Sequence, residues 1–203
     1  MDRARQRAPK NPYSGVPAVP ERVDLDALAR GREVEIDLGF GRGHFVLARA
    51  AARPGALLIG LELRRKWVGV VAGRAARAGL DNVLLWYGDA RSALARFAPD
   101  GAVSWIFVHF PDPWWKKRHE KRLLLVGPTV REIQRLLGPG GRLLVQTDVA
   151  DRAAAYGRVL AAEPGLRQVE IAPGTSPIPE QSHRESKCLE AGLEVHRLLF
   201  EKI

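Results

Sequence analysis

Cysteine and methionine are nearly absent from this 203-residue chain, with one of each, and aromatic residues make up only 7% of it. The lone cysteine, Cys188, excludes an internal disulfide and suits a reducing cytosol. There is no Cys/His cluster, and His44, His109 and His196 have no partner spacing that suggests a metal site, so no metal is expected. No apolar run approaches the ~20 residues that span a bilayer. The N-terminal MDRARQRAPKNPYSG is positively charged without an apolar stretch behind it, which does not read as a secretory signal. These absences point to a cytoplasmic protein without a membrane partner.

Positive charge is abundant. The 32 Lys and Arg residues outnumber 23 acids, for a net charge of +9. That excess suggests an anionic partner, nucleic acid first and acidic lipid second. Much of it is Arg scattered through Ala-rich helices, a pattern that biased codon usage also produces. Hydrophobic residues at 46% and a length of 203 fit one ordinary domain with a tail.

Residues 1–24 mix Arg, Pro, Lys and Asn without periodicity and read as a basic arm free to move, ahead of a domain over 25–203. Within the domain, strands and helices alternate. EVEIDL (33–38), ALLIGLEL (56–63), NVLLWYG (82–88), VSWIFVHF (103–110), RLLVQTD (142–148), LRQVEIA (166–172) and LEVHRLLFEK (193–202) read as strands. Helices are expected at 44–52, 64–78, just after Asp89, at 123–137 and at 151–163, with a tight turn at GPGG (138–141) and a loop at 173–186. Mostly apolar strands separated by helices predict a doubly wound α/β domain. Its mostly parallel, seven-stranded, Rossmann-like sheet would be covered on both faces, with ligands at the strand carboxyl ends. The last two strands follow one another without a helix, which predicts an antiparallel end.

Gly39-Phe40-Gly41-Arg42-Gly43 lies between the first strand and the first helix. Glycines there let a backbone approach a ligand that a Cβ would block, with N–H groups facing outward. The spacing is GxGxG, not the dinucleotide GxGxxG, and Asp37 stands two residues before Gly39. A carboxylate so close repels a pyrophosphate and attracts a ligand with a cationic amino-acid end and a sulfonium. S-adenosylmethionine is such a ligand, with a nicotinamide dinucleotide as the lesser alternative. Glu62 ends the second strand, suited to the ribose hydroxyls, and Asp89 ends the third, near an adenine amino group. Each acid alone is equally readable as a helix N-cap.

The fourth strand runs into FPDPWWKKRHEKR (110–122). Prolines hold Asp112 in a rigid loop, a tryptophan pair offers stacking surface, and dense positive charge follows. This stretch closely resembles the signature of the bacterial tRNA (guanine-N7-)-methyltransferase family, class I S-adenosylmethionine-dependent methyltransferases. The resemblance extends to EIDLGFGRG, GLEL, GDA, QTD and GLEVHRLLFEK, nearly the whole chain. Trp115 replaces the family's usual proline and Glu120 its second histidine.

The resemblance implies cofactor contacts at Asp37, Glu62, Asp89 and Asp112, beside the loop glycines Gly39, Gly41 and Gly43. Asp112 doubles as the catalytic acid. It implies substrate contacts at Lys116, Asp148 and the segment Ser182-His183-Arg184-Glu185, where Arg184 replaces an aromatic residue. It further implies methylation of N7 of the variable-loop guanine, position 46, of tRNA, by a monomer or homodimer. Two other readings compete: a same-fold enzyme methylating an exocyclic amine of another nucleic acid or a protein, and a non-catalytic RNA-binding relative. Asp rather than Asn at 112 disfavours the first, and the intact acids at 37, 62, 89 and 112 disfavour the second. Trp114 reads as a base-stacking or a buried residue. Trp67, Trp86 and Trp105 read as core, and Arg64 and Arg65 as a solvated helix start.

Overall fold

A computed structural model describes residues 13–111 and 123–203 of the chain. Its amino-terminal half runs β1 (Val23–Asp24), α1 (Leu25–Ala29), β2 (Glu33–Leu38), α2 (His44–Ala52), β3 (Ala56–Glu62), α3 (Arg65–Arg77), β4 (Val83–Tyr87), α4 (Ala90–Ala93) and β5 (Phe97–Ala98). The second half comprises β6 (Val103–His109), α5 (Gly127–Leu136), β7 (Leu137–Thr147), α6 (Ala150–Ala161), β8 (Leu166–Val169), α7 (His183–Glu190) and β9 (His196–Lys202). Seven strands form one sheet in the order β4-β3-β2-β6-β7-β9-β8. The neighbours from β4 to β7 pair in parallel, while β9 runs antiparallel to both β7 and β8. The doubly wound sheet with an antiparallel end is as expected.

The order reverses beside β2, whose two neighbours β3 and β6 lead away to opposite edges. Such a switch point opens a crevice at the carboxyl ends of the strands. Every residue of β3 is buried, which is why its sequence is apolar without alternation. On β2, Val34, Ile36 and Leu38 join a core shared with Val130 and Ile133 of α5 and Leu160 of α6. Glu35 and Asp37 therefore project to the other face, under α2, and both are fully buried.

Three local expectations differ from the structure. A helix, α7, separates β8 from β9, where 173–186 read as continuous loop. Its start is a capping box: Ser182 Oγ accepts from Glu185 N (3.2 Å) while Glu185 Oε2 accepts from Ser182 N (3.3 Å). The Pro- and Ser-rich composition upstream hid that signal. The GPGG turn is absorbed into β7, which pairs Leu137 with Val103 and then Arg142 with Trp105, leaving the glycines as a bulge. A Cβ on Gly141 would stand 2.9 Å from the Val103 carbonyl oxygen, so only glycine lets β7 pass so close.

The described part of the expected basic arm packs on the domain. Val19 N donates to Tyr87 O (3.0 Å), Tyr87 N donates to Pro17 O (2.9 Å), and β1 pairs with β5. Residues 1–12 lie outside the described residues. Among those described, no helix is long and apolar enough to cross a membrane.

A buried ion network ties the loop before α7 to the sheet. Arg49 on α2 donates from Nε and one terminal nitrogen to the two Glu35 oxygens (2.7 and 2.9 Å), and from its other terminal nitrogen to Glu180 (3.1 Å). Its guanidinium also lies 5.5 Å from the centroid of the Phe107 ring. Removing one partner of a buried pair strands the other charge, at a cost of about 3–5 kcal/mol. Arg49→Met is expected to lose stability on that scale in urea unfolding, and Glu35→Met combined with Arg49→Leu to lose less. A double variant less stable than either single one contradicts this account of the network.

Candidate active site at the strand carboxyl ends

A cleft of about 820 Å³ opens at the switch point, between the glycine loop after β2, the end of β6, the start of α6 and the start of α7. It brings together Asp37, Gly39, Gly41, Gly43, Asp148, Ser182, His183 and Arg184 from the residues expected at the site. Glu62 and Asp89 stand outside its lining, at the adjacent ends of β3 and β4, and Glu185 lies beneath it. Asp112 and Lys116, with Trp114, fall outside the described residues.

Asp37 dominates the cleft floor. It is fully buried, and among the described residues neither carboxylate oxygen has a hydrogen-bond partner. Burial, and secondarily the nearby Glu62 charge, push its pKa well above the ordinary carboxylate value. An orphaned buried carboxylate is costly unless something cationic with hydrogen-bond donors meets it.

The loop above it is held open by backbone geometry. Gly39, Gly41 and Gly43 have φ of 86°, 54° and 76°, which a side chain rarely adopts. At Gly43 there is no room either, since a Cβ would stand 2.4 Å from a Val71 methyl of α3. Glu62 fixes the loop from below, accepting from Gly41 N at 2.9 Å through one oxygen and from Arg64 N at 3.0 Å through the other. The first oxygen keeps a lone pair for another donor, while the second also accepts from Arg64 Nε at 3.3 Å. This loop-holding role was not legible in the sequence, where Glu62 read only as a ligand contact. Asp89 caps α4 by accepting from Arg91 N (3.0 Å) and pairs with the Arg91 guanidinium, which lowers its pKa.

On the far wall, Arg184 pairs with Asp148, so two residues expected to touch substrate touch each other. His183, the first residue of α7, stacks on His44, the first residue of α2, with ring centroids 4.7 Å apart. Burial, then the facing His183, Arg74 and Arg42, hold the His44 pKa below its ordinary value. Glu185 is 1% exposed and bonded on both oxygens: Gln146 Nε2 (2.8 Å) and Arg197 (2.7 Å) donate to one, Ser182 N to the other.

Phe110 adopts φ 49°, a left-handed conformation costing a bulky residue about 1–3 kcal/mol. It is pinned there by donating its N–H to Gln146 O at 2.8 Å. That strain sits directly after β6, one residue before Pro111, the last described residue of this stretch. His109, set aside in the sequence, also lines the cleft, as do Arg42, Arg64 and Arg152 alongside Asp148 and Asp151. Among the described residues no group of three metal-ligating side chains occurs.

Two orphaned oxygens, an open glycine cradle and a carboxylate with spare acceptor capacity fit S-adenosylmethionine, with its cationic amino-acid end and ribose diol. They do not suit a pyrophosphate.

Comparison with known proteins agrees. A family described as "Putative methyltransferase" matches residues 31–198. A tRNA (guanine-N(7)-)-methyltransferase of Anaeromyxobacter dehalogenans is 40% identical over 179 residues, covering 85% of this chain and 87% of that protein. One from Alkalilimnicola ehrlichii is 35% identical over 189 residues, covering 92% and 80%. Among solved structures, the 16S rRNA methyltransferase KamB superposes with a TM-score of 0.65 at 17% identity, over 88% of this chain and 92% of that one.

The raised pKa of Asp37 carries a stability consequence. The folded chain keeps this proton where the unfolded chain has lost it, so the contribution to stability is present at low pH and lost as pH rises through the folded value. At neutral pH Asp37→Asn is expected to raise the melting temperature of the ligand-free protein. It should also weaken binding of S-adenosylhomocysteine, the product form of the cofactor, about ten-fold or more. A lower melting temperature with unchanged affinity contradicts the role given to Asp37.

Proposed function

Because the chain belongs to the tRNA (guanine-N7-)-methyltransferase family, we propose that it transfers the methyl group of S-adenosylmethionine to N7 of a guanine in tRNA, at position 46 of the variable loop. The observation that carries this reading for this molecule is the unpartnered Asp37 carboxylate beside an open glycine loop at the switch point. When bound, the cofactor supplies a methyl group activated by a sulfonium.

The chain's own residues have separable tasks. Asp37 receives the cationic amino-acid end, the backbone of Gly39 to Gly43 admits it closely, Glu62 accepts from ribose hydroxyls, and Asp89 faces the adenine. Guanine N7 presents an in-plane lone pair with no proton to remove, so no general base is required. What remains is positioning, which supplies ~7–11 kcal/mol, and offsetting the positive charge that develops on the purine. Asp112 does both, by accepting from the N1–H and 2-amino donors on the Watson–Crick edge. Adenine lacks those donors and is rejected. The strained turn at Phe110 delivers Asp112 from the end of β6. Lys116 holds a phosphate. Asp148, Ser182, His183 and Arg184 form the wall against which the nucleotide rests, while Glu185 keeps the start of α7 in place.

Methylation of unmodified tRNA with radiolabelled cofactor, followed by borohydride and aniline cleavage, tests the assignment: one cut at the variable-loop guanine is expected. Label on an exocyclic amine, or no label, refutes it. Asp112→Asn is expected to cut the single-turnover rate by about 10²-fold or more, far more than it weakens cofactor binding; a rate near wild type removes Asp112 from the mechanism. Lys116→Ala is expected to weaken tRNA binding and to reduce the salt slope of log K by about 1. An unchanged slope excludes the phosphate contact.

A further inference from the structure

His109 is the last residue of β6, and its ring chemistry is fixed by what lies behind it. Its Nδ1 is 2.7 Å from Gln146 Oε1. Gln146 directs its own Nε2 to Glu185 Oε1 at 2.8 Å, so the oxygen, not the nitrogen, faces the imidazole. Glu185 is held in turn by Arg197 and the Ser182 cap. The network therefore places a proton on Nδ1 and leaves Nε2 as a bare lone pair. That Nε2 is buried and has no hydrogen-bond partner among the described residues. Burial holds the ring's pKa down at about 4, which keeps it neutral near pH 7.

The position of this lone pair is informative. Asp37 pairs in register with Phe107 across β2 and β6, and the His109 ring stacks with Phe107 (5.9 Å, 8° between planes) on the same face. His109 is two residues further along, about 6–7 Å by strand rise, and one strand spacing of about 4.8 Å across. Both line the cleft. Two buried acceptor groups, neither with a hydrogen-bond partner among the described residues, stand on one face of two adjacent strands near their carboxyl ends. One is a carboxyl group that a nearby cation would favour as the anion, and the other is a neutral lone pair. A group offering several N–H donors and a single positive charge answers both.

We infer that His109 Nε2, beside the Asp37 carboxylate, accepts a hydrogen bond from the ammonium group at the amino-acid end of the methyl donor, and that Gln146 is a positioning residue which holds the imidazole in the accepting tautomer. The inference rests on the methyltransferase reading above. It also joins the two halves of the site, because the side chain that sets the tautomer is bonded to the residue that caps α7.

The test compares two ligands. S-adenosylhomocysteine carries the ammonium group, and 5′-methylthioadenosine keeps the nucleoside and sulfur but lacks it. By calorimetry, His109→Phe is expected to weaken S-adenosylhomocysteine about ten-fold, as for a lost hydrogen bond to a charged group, and to leave 5′-methylthioadenosine within about two-fold. Equal losses for both ligands mean a merely structural role and overturn the inference, as does no loss for either. Failure of the wild-type protein to bind S-adenosylhomocysteine sinks the methyltransferase reading itself.

Should His109→Phe not fold, ¹⁵N NMR of imidazole-labelled wild-type protein decides. It should report Nδ1 protonated and Nε2 bare, with the Nε2 resonance moving on addition of S-adenosylhomocysteine but not of 5′-methylthioadenosine. A proton on Nε2 in the free protein overturns the inference, and so does an Nε2 resonance that S-adenosylhomocysteine leaves unmoved. Gln146→Leu is expected to release the tautomer preference, giving a mixed ring signal.

Discussion

The carboxylate of Asp37 organises this molecule because the fold leaves it unanswered. A buried acid ordinarily finds an arginine, as Glu35 two residues earlier on the same strand finds Arg49. Asp37 has no such partner among the described residues, and the desolvation cost is carried by the rest of the fold. These neighbours on one face of β2 differ in that one carboxylate is paired and the other, among the described residues, is not. Glu35 clamps α2 and, through Arg49 and Glu180, the loop that leads to α7. Asp37 is kept available.

Around that vacancy in hydrogen bonding, the surrounding elements have been made stiff. The glycine loop is anchored by Glu62, the turn into the FPDPWW loop is pinned at Phe110, and α7 is capped and backed by Glu185, Gln146 and Arg197. Precise positioning is the main resource available to an enzyme whose nucleophile needs no activation, so a preformed cleft suits the proposed chemistry. The arginines lining the cleft suit a polyanionic substrate, and the paired Arg184 and Asp148 show that part of their charge is already balanced.

Much of this was legible in the sequence, for identifiable reasons. Strand and helix alternation is written in hydrophobic periodicity, so the sheet and its antiparallel end followed. Glycine spacing and acids at strand ends are local signals, and they located the loop, Asp37, Glu62 and Asp89. Relations between distant residues were not legible. That Glu62 holds Gly41, that Arg184 meets Asp148 and that His109 backs onto Gln146 depends on tertiary contacts 21, 36 and 37 residues apart. The α7 start had a local signal, Ser182 and Glu185 at capping-box spacing, masked by the loop-like composition before it. GPGG looked like a turn because its glycines signal close backbone approach, which a bulged strand uses as well.

The central claim is that Asp37, its pKa raised by burial, is the group that meets the cationic end of the methyl donor. Calorimetric titration of S-adenosylhomocysteine in buffers of different ionisation heat, at pH values between the ordinary aspartate range and neutrality, measures it directly. Proton release on binding, absent with Asp37→Asn, is the predicted result, since an arriving cation lowers the raised pKa. Binding without proton exchange, or with uptake, would show that this carboxylate is not the group the ligand meets.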